Sequence, residues 1–254
     1  MNEKTEKDKL TKLVEGLKQL STEGLDFTKN ETLVPKMESY INEIILFNSA
    51  YNLTNTSDFE EISVNHILDS LSAAGTIKKL ADELEDKTAE SSDSANCTST
   101  EDAANNGQKT HSIKIADIGS GGGLPGIPLA ASLSNYSFTL VERMDKRCAF
   151  LENQAAILRL KNVTVMKKEA EKVPAESFDL VTFRAFRPLD KKMIKTLLAL
   201  TKKGGTIAAY KAKTKSIKEE MDGIKEIVKE YQVIPLNVPF LPEHERNLVV
   251  IRKQ

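Results

Sequence analysis

Residues 115–126 read IADIGSGGGLPG, a short apolar run that passes straight into closely spaced glycines. Glycines in that setting let backbone N–H groups approach a ligand closely, so the segment is a candidate nucleotide-type binding turn. Two frames fit. Gly119, Gly121 and Gly123 spell G-x-G-x-G, while Gly121, Gly123 and Gly126 spell the dinucleotide pattern G-x-G-x-x-G. Asp117 stands two residues before the first of these glycines. A carboxylate there attracts the cationic end of a sulfonium amino-acid cofactor and repels a pyrophosphate, which favours the first frame over NAD. Glu142 closes the next apolar run and can accept both hydroxyls of a ribose, a feature any nucleoside cofactor would use. His66 and Asp69 in NHILDS share one helical face at i and i+3, where a helix-to-core hydrogen bond is favoured over proton transfer. Tyr51, Asn52 and Thr54 in YNLTN either line a base pocket or fix a loop between helices, and both readings stay open. Cys97 and Cys148 have no zinc-ligand or disulfide spacing.

The elements that must position these residues fall into two textures. Residues 4–20, 32–47 and 58–71 carry apolar stripes of helical period, with Asn30 and Asp58 as N-cap candidates, and compose a helical extension over residues 1–75. Residues 82–112 are rich in Ser, Thr, Asn and acids, have almost nothing large and apolar to bury, and are expected to be a disordered acidic insertion. From residue 113 short apolar runs alternate with amphipathic helices. Strands are predicted over 113–118, 138–141, 163–167, 179–183 and 206–211, with a turn at Gly204 and Gly205. Helices are predicted through residue 133 and over 145–160, 190–200 and 216–231. Repeating βα units of this length imply a mainly parallel sheet covered on both faces. Two final runs, 232–238 and 247–252, predict an antiparallel hairpin at the sheet edge.

Charge sharpens the division. The chain carries a net −1, but residues 82–110 hold eight acids against Lys87 and Lys109, which leaves the rest at +5. Between Arg184 and Lys218 there are eleven Lys or Arg against one acid, Asp190, as expected of a phosphate-facing surface or of solvated helix faces. The polar N-terminus and the lack of any apolar run near the roughly 20 residues needed to span a bilayer point to a cytoplasmic protein.

The ordered motifs FNSAYNLTN, VNHILDSL, IADIGSGGGLPGIPLA, VERMDKRCAFLEN, FDLVTFRAFRPL, AAYKAK and ERNLVVIRK closely resemble the bacterial ribosomal RNA small-subunit methyltransferase G family. The likeness covers residues 40–254 apart from the acidic segment. It implies an α/β fold of class I, Rossmann-like and S-adenosylmethionine-dependent, with a mainly parallel sheet over residues 113–254 and an N-terminal helical extension. The activity implied is methylation of N7 of guanine 527, in the 530 loop of 16S ribosomal RNA, with S-adenosyl-L-homocysteine as the other product. By motif it places Gly119, Leu124, Ala170, Glu171 and Arg184 at the cofactor, beside the Asp117, Gly121 and Glu142 singled out above. Many relatives have Arg where this chain has Glu169. Guanine N7 has an exposed lone pair, so the reaction needs no general base and depends on alignment, with Arg184 the catalytic candidate. Lys211, Arg187, Arg246 and Asn247 are candidate contacts to 16S RNA or a small-subunit particle. Phe183, Phe186 and Tyr210 can stack on a base, though core packing is favoured for Phe183. A small-molecule methyltransferase, an NAD-dependent oxidoreductase and a non-enzymatic RNA-binding module remain competing expectations.

Overall fold

The computed structural model describes residues 3–93, 112–184 and 188–254. Its N-terminal third is helical: α1 (Glu3–Leu20), α2 (Leu33–Tyr51), α3 (Phe59–Ile62), a π-helical stretch (Ser63–Leu68), α4 (Asp69–Leu71) and α5 (Ala74–Asp93). Asp58 caps α3 as its spacing predicts, with Oδ1 accepting from the Glu61 N–H at 2.8 Å. Asn30 does not cap α2. Its Oδ1 accepts from the Thr32 N–H at 3.2 Å, a tight Asx turn that sets the chain direction before the helix begins.

Residues 82–93 of the expected insertion belong to α5. The apolar stripe Ile77, Leu80, Ala81, Leu84 continues into the acidic sequence at helical spacing and is buried. Asp82 then accepts from the Tyr136 hydroxyl, and Glu83 pairs with Arg252 at 2.8 Å. These two acids, Asp82 and Glu83, are thus both paired within the helical part of the sequence. Residues 94–111, which complete that insertion, lie outside the described residues.

Seven strands form one sheet in the order β3-β2-β1-β4-β5-β7-β6: β1 (Lys114–Ile118), β2 (Ser137–Glu142), β3 (Val163–Lys167), β4 (Phe178–Arg184), β5 (Thr201–Lys211), β6 (Gln232–Pro235) and β7 (Asn247–Arg252). The first five are mutually parallel, and β7 runs antiparallel to both of its neighbours, so the edge hairpin forms with its second strand inward. The class I Rossmann-like α/β sheet expected from the sequence is therefore the fold observed. Side chains alternate between two cores. Ile115, Leu140, Leu180 and Tyr210 join a cluster with α1, α2, α5, α6 (Gly126–Ser132) and α7 (Asp145–Ile157). Ala116, Val141, Val181 and Ala209 join the opposite cluster with α8 (Lys191–Leu200) and α9 (Thr214–Ile224). Gly204 and Gly205 sit inside β5, where the register against β4 shifts, and do not form a turn before it. A Cβ on Gly205 would stand 2.6 Å from the Asp179 carbonyl oxygen, so only glycine admits that approach.

The strand order reverses between β1 and β4. Successive crossovers leave the sheet in opposite directions there, which opens a crevice at the carboxyl ends of the strands.

Candidate active site: two clefts at the carboxyl edge of the sheet

The glycine turn is held from three sides. Tyr40, fully buried on α2, donates its hydroxyl to the Gly122 carbonyl. The Glu142 carboxylate at the end of β2 accepts from the Gly121 N–H at 3.0 Å on Oε2, and from the Arg143 and Met144 N–H groups at 2.8 and 2.9 Å on Oε1. Asp117 at the end of β1 accepts from the Gly126 N–H at 3.0 Å, tying the strand to the first turn of α6. Gly119, Gly121 and Gly123 all have positive φ, which the turn requires and which side-chain-bearing residues rarely adopt.

Outside this turn lies a cleft of about 450 Å³. Among its walls are Gly119, Glu142, Met144, Arg147, Ala170 and Glu171. Four of the cofactor residues expected from the sequence thus meet in one place. The other four do not line it. Asp117 and Leu124 are buried, Gly121 is turned to Glu142, and Arg184 belongs to a second cleft. Burial raises the Asp117 pKa to about 7, with the Gly126 N–H, the Ser120 hydroxyl and the Arg184 charge opposing that rise. Its Oδ1 has no hydrogen-bond partner and the residue is wholly enclosed, and here its other oxygen serves to tie β1 to α6.

Sequence reasoning missed Met144 and Arg147 in this cleft. Met144 is an apolar side chain left 48% exposed, and the signal available was a methionine set among charged residues directly after a strand. Arg147 donates to the Asn52 carbonyl at 3.1 Å, which joins the NLTN loop to α7. That loop is a scaffold. Asn48 Oδ1 accepts from the Leu53 and Thr54 N–H groups at 2.9 Å each, Asn52 is left-handed at φ 49°, and the Thr54 hydroxyl donates to the Thr56 carbonyl. Tyr51 packs its ring against Phe47, 5.4 Å between centroids.

The second cleft, about 400 Å³, opens beyond β4 and β5. Arg184, the last residue of β4, donates to Asp69 Oδ2 at 2.6 Å and to the Asn65 carbonyl at 3.3 Å, and its Nη2 lies 3.1 Å from His66 Nδ1. Arg246 donates from Nε to the other Asp69 oxygen at 3.0 Å. One buried carboxylate therefore orients two guanidinium groups. The π-helical stretch makes this possible. The Asp69 N–H bonds to the Val64 and His66 carbonyls and passes over Asn65, whose carbonyl is left for Arg184. π-Helical turns of this kind concentrate at functional sites, and no local sequence pattern announced this one.

Guanidinium only donates, so His66 Nδ1 is the acceptor and the ring proton sits on Nε2. Burial and the Arg184 charge push the His66 pKa down to about 4, against the pull of Asp69. The ring is neutral, with its one lone pair occupied.

The expected RNA contacts divide. Arg246 and Lys211 line the second cleft, with the Lys211 ammonium bound to Glu220 at 2.6 Å. Asn247 is 5% exposed and donates to the Ala212 carbonyl at 2.6 Å, so it locks a loop and is not available as a surface contact. Arg187 and Phe186 lie outside the described residues. Phe183 is buried, and the Tyr210 hydroxyl donates to the Ser70 carbonyl at 2.6 Å. Much of the basic run is also spent on ion pairs: Lys191 with Glu226, Lys192 with Glu171 and Lys202 with Asp179. Among the described residues there is no cluster of three or more His, Cys, Asp or Glu able to hold a metal, and no helix long and apolar enough to cross a membrane.

A family model described as rRNA small subunit methyltransferase G matches residues 33–86 and 93–249. Similar proteins carrying the name ribosomal RNA small subunit methyltransferase G include one from Treponema denticola, 42% identical over 95% of this chain and 93% of its own length. One from Treponema pallidum (strain Nichols) is 35% identical over 94% and 92%. One from Klebsiella pneumoniae is 33% identical over 96% and 98%.

Proposed function

The chain belongs to the rRNA small subunit methyltransferase G family, and from that premise we propose that it methylates N7 of guanine 527 of 16S ribosomal RNA. In this reading S-adenosyl-L-methionine is the donor and S-adenosyl-L-homocysteine is released. The observation that carries the proposal is the pair of clefts at the carboxyl edge of the sheet, one suited to a nucleoside and the other cationic.

The donor set of the first cleft fits the cofactor. Glu142 Oε2 has a single backbone donor, so it keeps an acceptor direction for a ribose hydroxyl, while Oε1 is saturated by two. Met144 and Ala170 offer apolar faces to a purine ring, and Gly119 leaves the turn open beside them. Bound there, S-adenosyl-L-methionine supplies an electrophilic methyl group on a sulfonium.

The second cleft fits the nucleic-acid side. Two guanidinium groups share one carboxylate, so the cleft is net positive and attracts a phosphate-bearing chain. Guanine N7 needs no deprotonation, and the one carboxylate among the described residues of the cleft wall, Asp69, is committed to Arg184 and Arg246. His66, already neutral, has its only lone pair committed to Arg184. The residues therefore act by orientation and by excluding water, and alignment of this kind is worth on the order of 7–11 kcal/mol in well-ordered systems.

The test is to incubate labelled cofactor with unmodified 16S RNA and with small ribosomal subunits, then map the modified base. Label at N7 of guanine 527 is expected. Label on another base would overturn the position while leaving the reaction class, and no label on either substrate would remove the RNA reading altogether.

A further inference from the structure

A nucleic acid cannot place one base in a cleft without its neighbours. Each flanking nucleotide brings a phosphate, and the chain needs a path on which those charges are met. The second cleft adjoins such a path. Arg246 and Ala212 line it and also line a further hollow of about 310 Å³, formed by the loop after β5 and the loop before β7.

The two loops are fastened to each other. Asn247 donates to the Ala212 carbonyl at 2.6 Å, and Glu245 Oε2 accepts from the Thr214 N–H at 2.8 Å. Arg246 is fixed where the two openings meet, with Nε on Asp69 and Nη1 donating to the Glu245 carbonyl at 3.0 Å. Its Nη2 makes no hydrogen bond and is not among the enclosed polar atoms, so it is open to solvent. Lys213 and Lys215 stand in the same wall and are exposed. Lys191, Lys192, Lys202 and Lys211 are paired with acids, whereas neither of these two lysines is in an ion pair among the described residues. The wall's acids are Glu243 and Glu245, and Glu245 is turned to the Thr214 N–H.

Resting on the proposed reaction, we infer that the RNA strand flanking the target guanine leaves the acceptor cleft over Arg246 and lies in this hollow, where Lys213 and Lys215 hold two of its phosphates. The locked loops set the direction of the strand. Asn247 contributes by fastening the loop that presents the lysines. Contacts of this kind fix register and affinity and take no part in methyl transfer.

The experiment compares three proteins: wild type, the double variant Lys213→Gln with Lys215→Gln, and a control, Lys195→Gln with Lys225→Gln, whose exposed lysines line neither opening. Binding of unmodified 16S RNA is measured between about 50 and 200 mM salt, and methylation of small subunits is measured alongside. The Lys213 and Lys215 double variant should show a slope of log Kd against log salt shallower by about 1.4, or roughly 0.7 for each phosphate of a single strand. Its KM should rise severalfold while kcat and affinity for S-adenosyl-L-homocysteine keep their wild-type values, and the control should keep the wild-type slope. Equal changes in both double variants would mean general attraction to a basic surface and would overturn the inference. So would an unchanged slope, or a loss confined to kcat. Wild-type protein that binds the RNA with the expected lysine dependence but transfers no methyl group would instead overturn the reaction on which the inference rests.

Discussion

Arg184 donates to three acceptors from one helical segment, and Asp69 receives from two arginines, so the two substitutions differ in what they strand. Arg184→Ala leaves Asp69 paired with Arg246. Asp69→Ala leaves two guanidinium groups without their shared carboxylate in a largely enclosed place. Urea unfolding should show Asp69→Ala the more destabilised, by about 3–5 kcal/mol against about 1–3 for Arg184→Ala, while methyl transfer falls strongly in both. Equal stability loss would mean the arginines do not depend on Asp69. Asp117 gives a pH signature. Its pKa is raised by burial to about 7 from an ordinary 3.8, so the folded state holds a proton that the unfolded chain releases. That contribution to stability is complete below about pH 4 and is lost as pH rises through 7. Asp117→Asn cannot titrate, so its melting temperature relative to wild type should be more favourable at pH 8 than at pH 5. A difference independent of pH would contradict the raised pKa.

At the scale of elements, the glycine turn and α9 make opposite demands on the same residue type. Gly123 has φ +92°, and a Cβ there would stand 2.6 Å from Ile127 Cγ1, 2.8 Å from the Tyr40 hydroxyl and 2.9 Å from Leu151 Cδ2. Gly223 lies within α9 with nothing inside 4 Å of its added Cβ. Gly123→Ala should therefore destabilise by about 2 kcal/mol or more and weaken cofactor binding, whereas Gly223→Ala should stabilise by about 0.5–1 kcal/mol. Thermal or denaturant melts of the two variants side by side check the contrast. Gly123→Ala matching wild type would show that the turn tolerates a Cβ after all.

Across the whole molecule, α1 and α2 share one apolar cluster with β1, β2 and β4, through Leu13, Leu17, Ile41 and Ile44 on the helices and Ile115, Leu140 and Leu180 on the strands. Both clefts are assembled against that common body, the first through Tyr40 on the glycine turn and the second through His66 and Asp69 on β4. A ligand bound only by the native state should thus raise the melting temperature of a single transition. At a hundredfold excess over its Kd, S-adenosyl-L-homocysteine should add about 2.7 kcal/mol, a shift of about 5–10 °C for a chain of this size. NAD should give none. A shift with NAD and none with S-adenosyl-L-homocysteine would return the glycine turn to its dinucleotide frame.

Sequence by itself determined the parts of this protein that depend on local order. The short apolar strand runs, the βα alternation, the glycine turn and the Asp58 cap are all set by neighbours within a few residues, and so is each of the ordered motifs that carry the family likeness. Contacts between distant residues were legible only in part. Glu142 sits at the first cleft as its strand-end position implied, but the sequence did not reveal that Asp117 would be sealed behind the turn or that Asn247 would be turned inward. Nor did it separate Arg184 from the other cofactor candidates, because the pairing of Arg184 with Asp69 spans 115 residues and needs β4 and the π-helical stretch to meet. The acidic start of the expected insertion became helix because Leu84 could complete a buried stripe, and the basic run lost much of its free charge to acids on other elements. Residue type and spacing specify which groups are present. Only tertiary packing decides which are buried, which are paired and which remain to meet a ligand, since desolvation and pairing are properties of the surroundings a folded chain supplies.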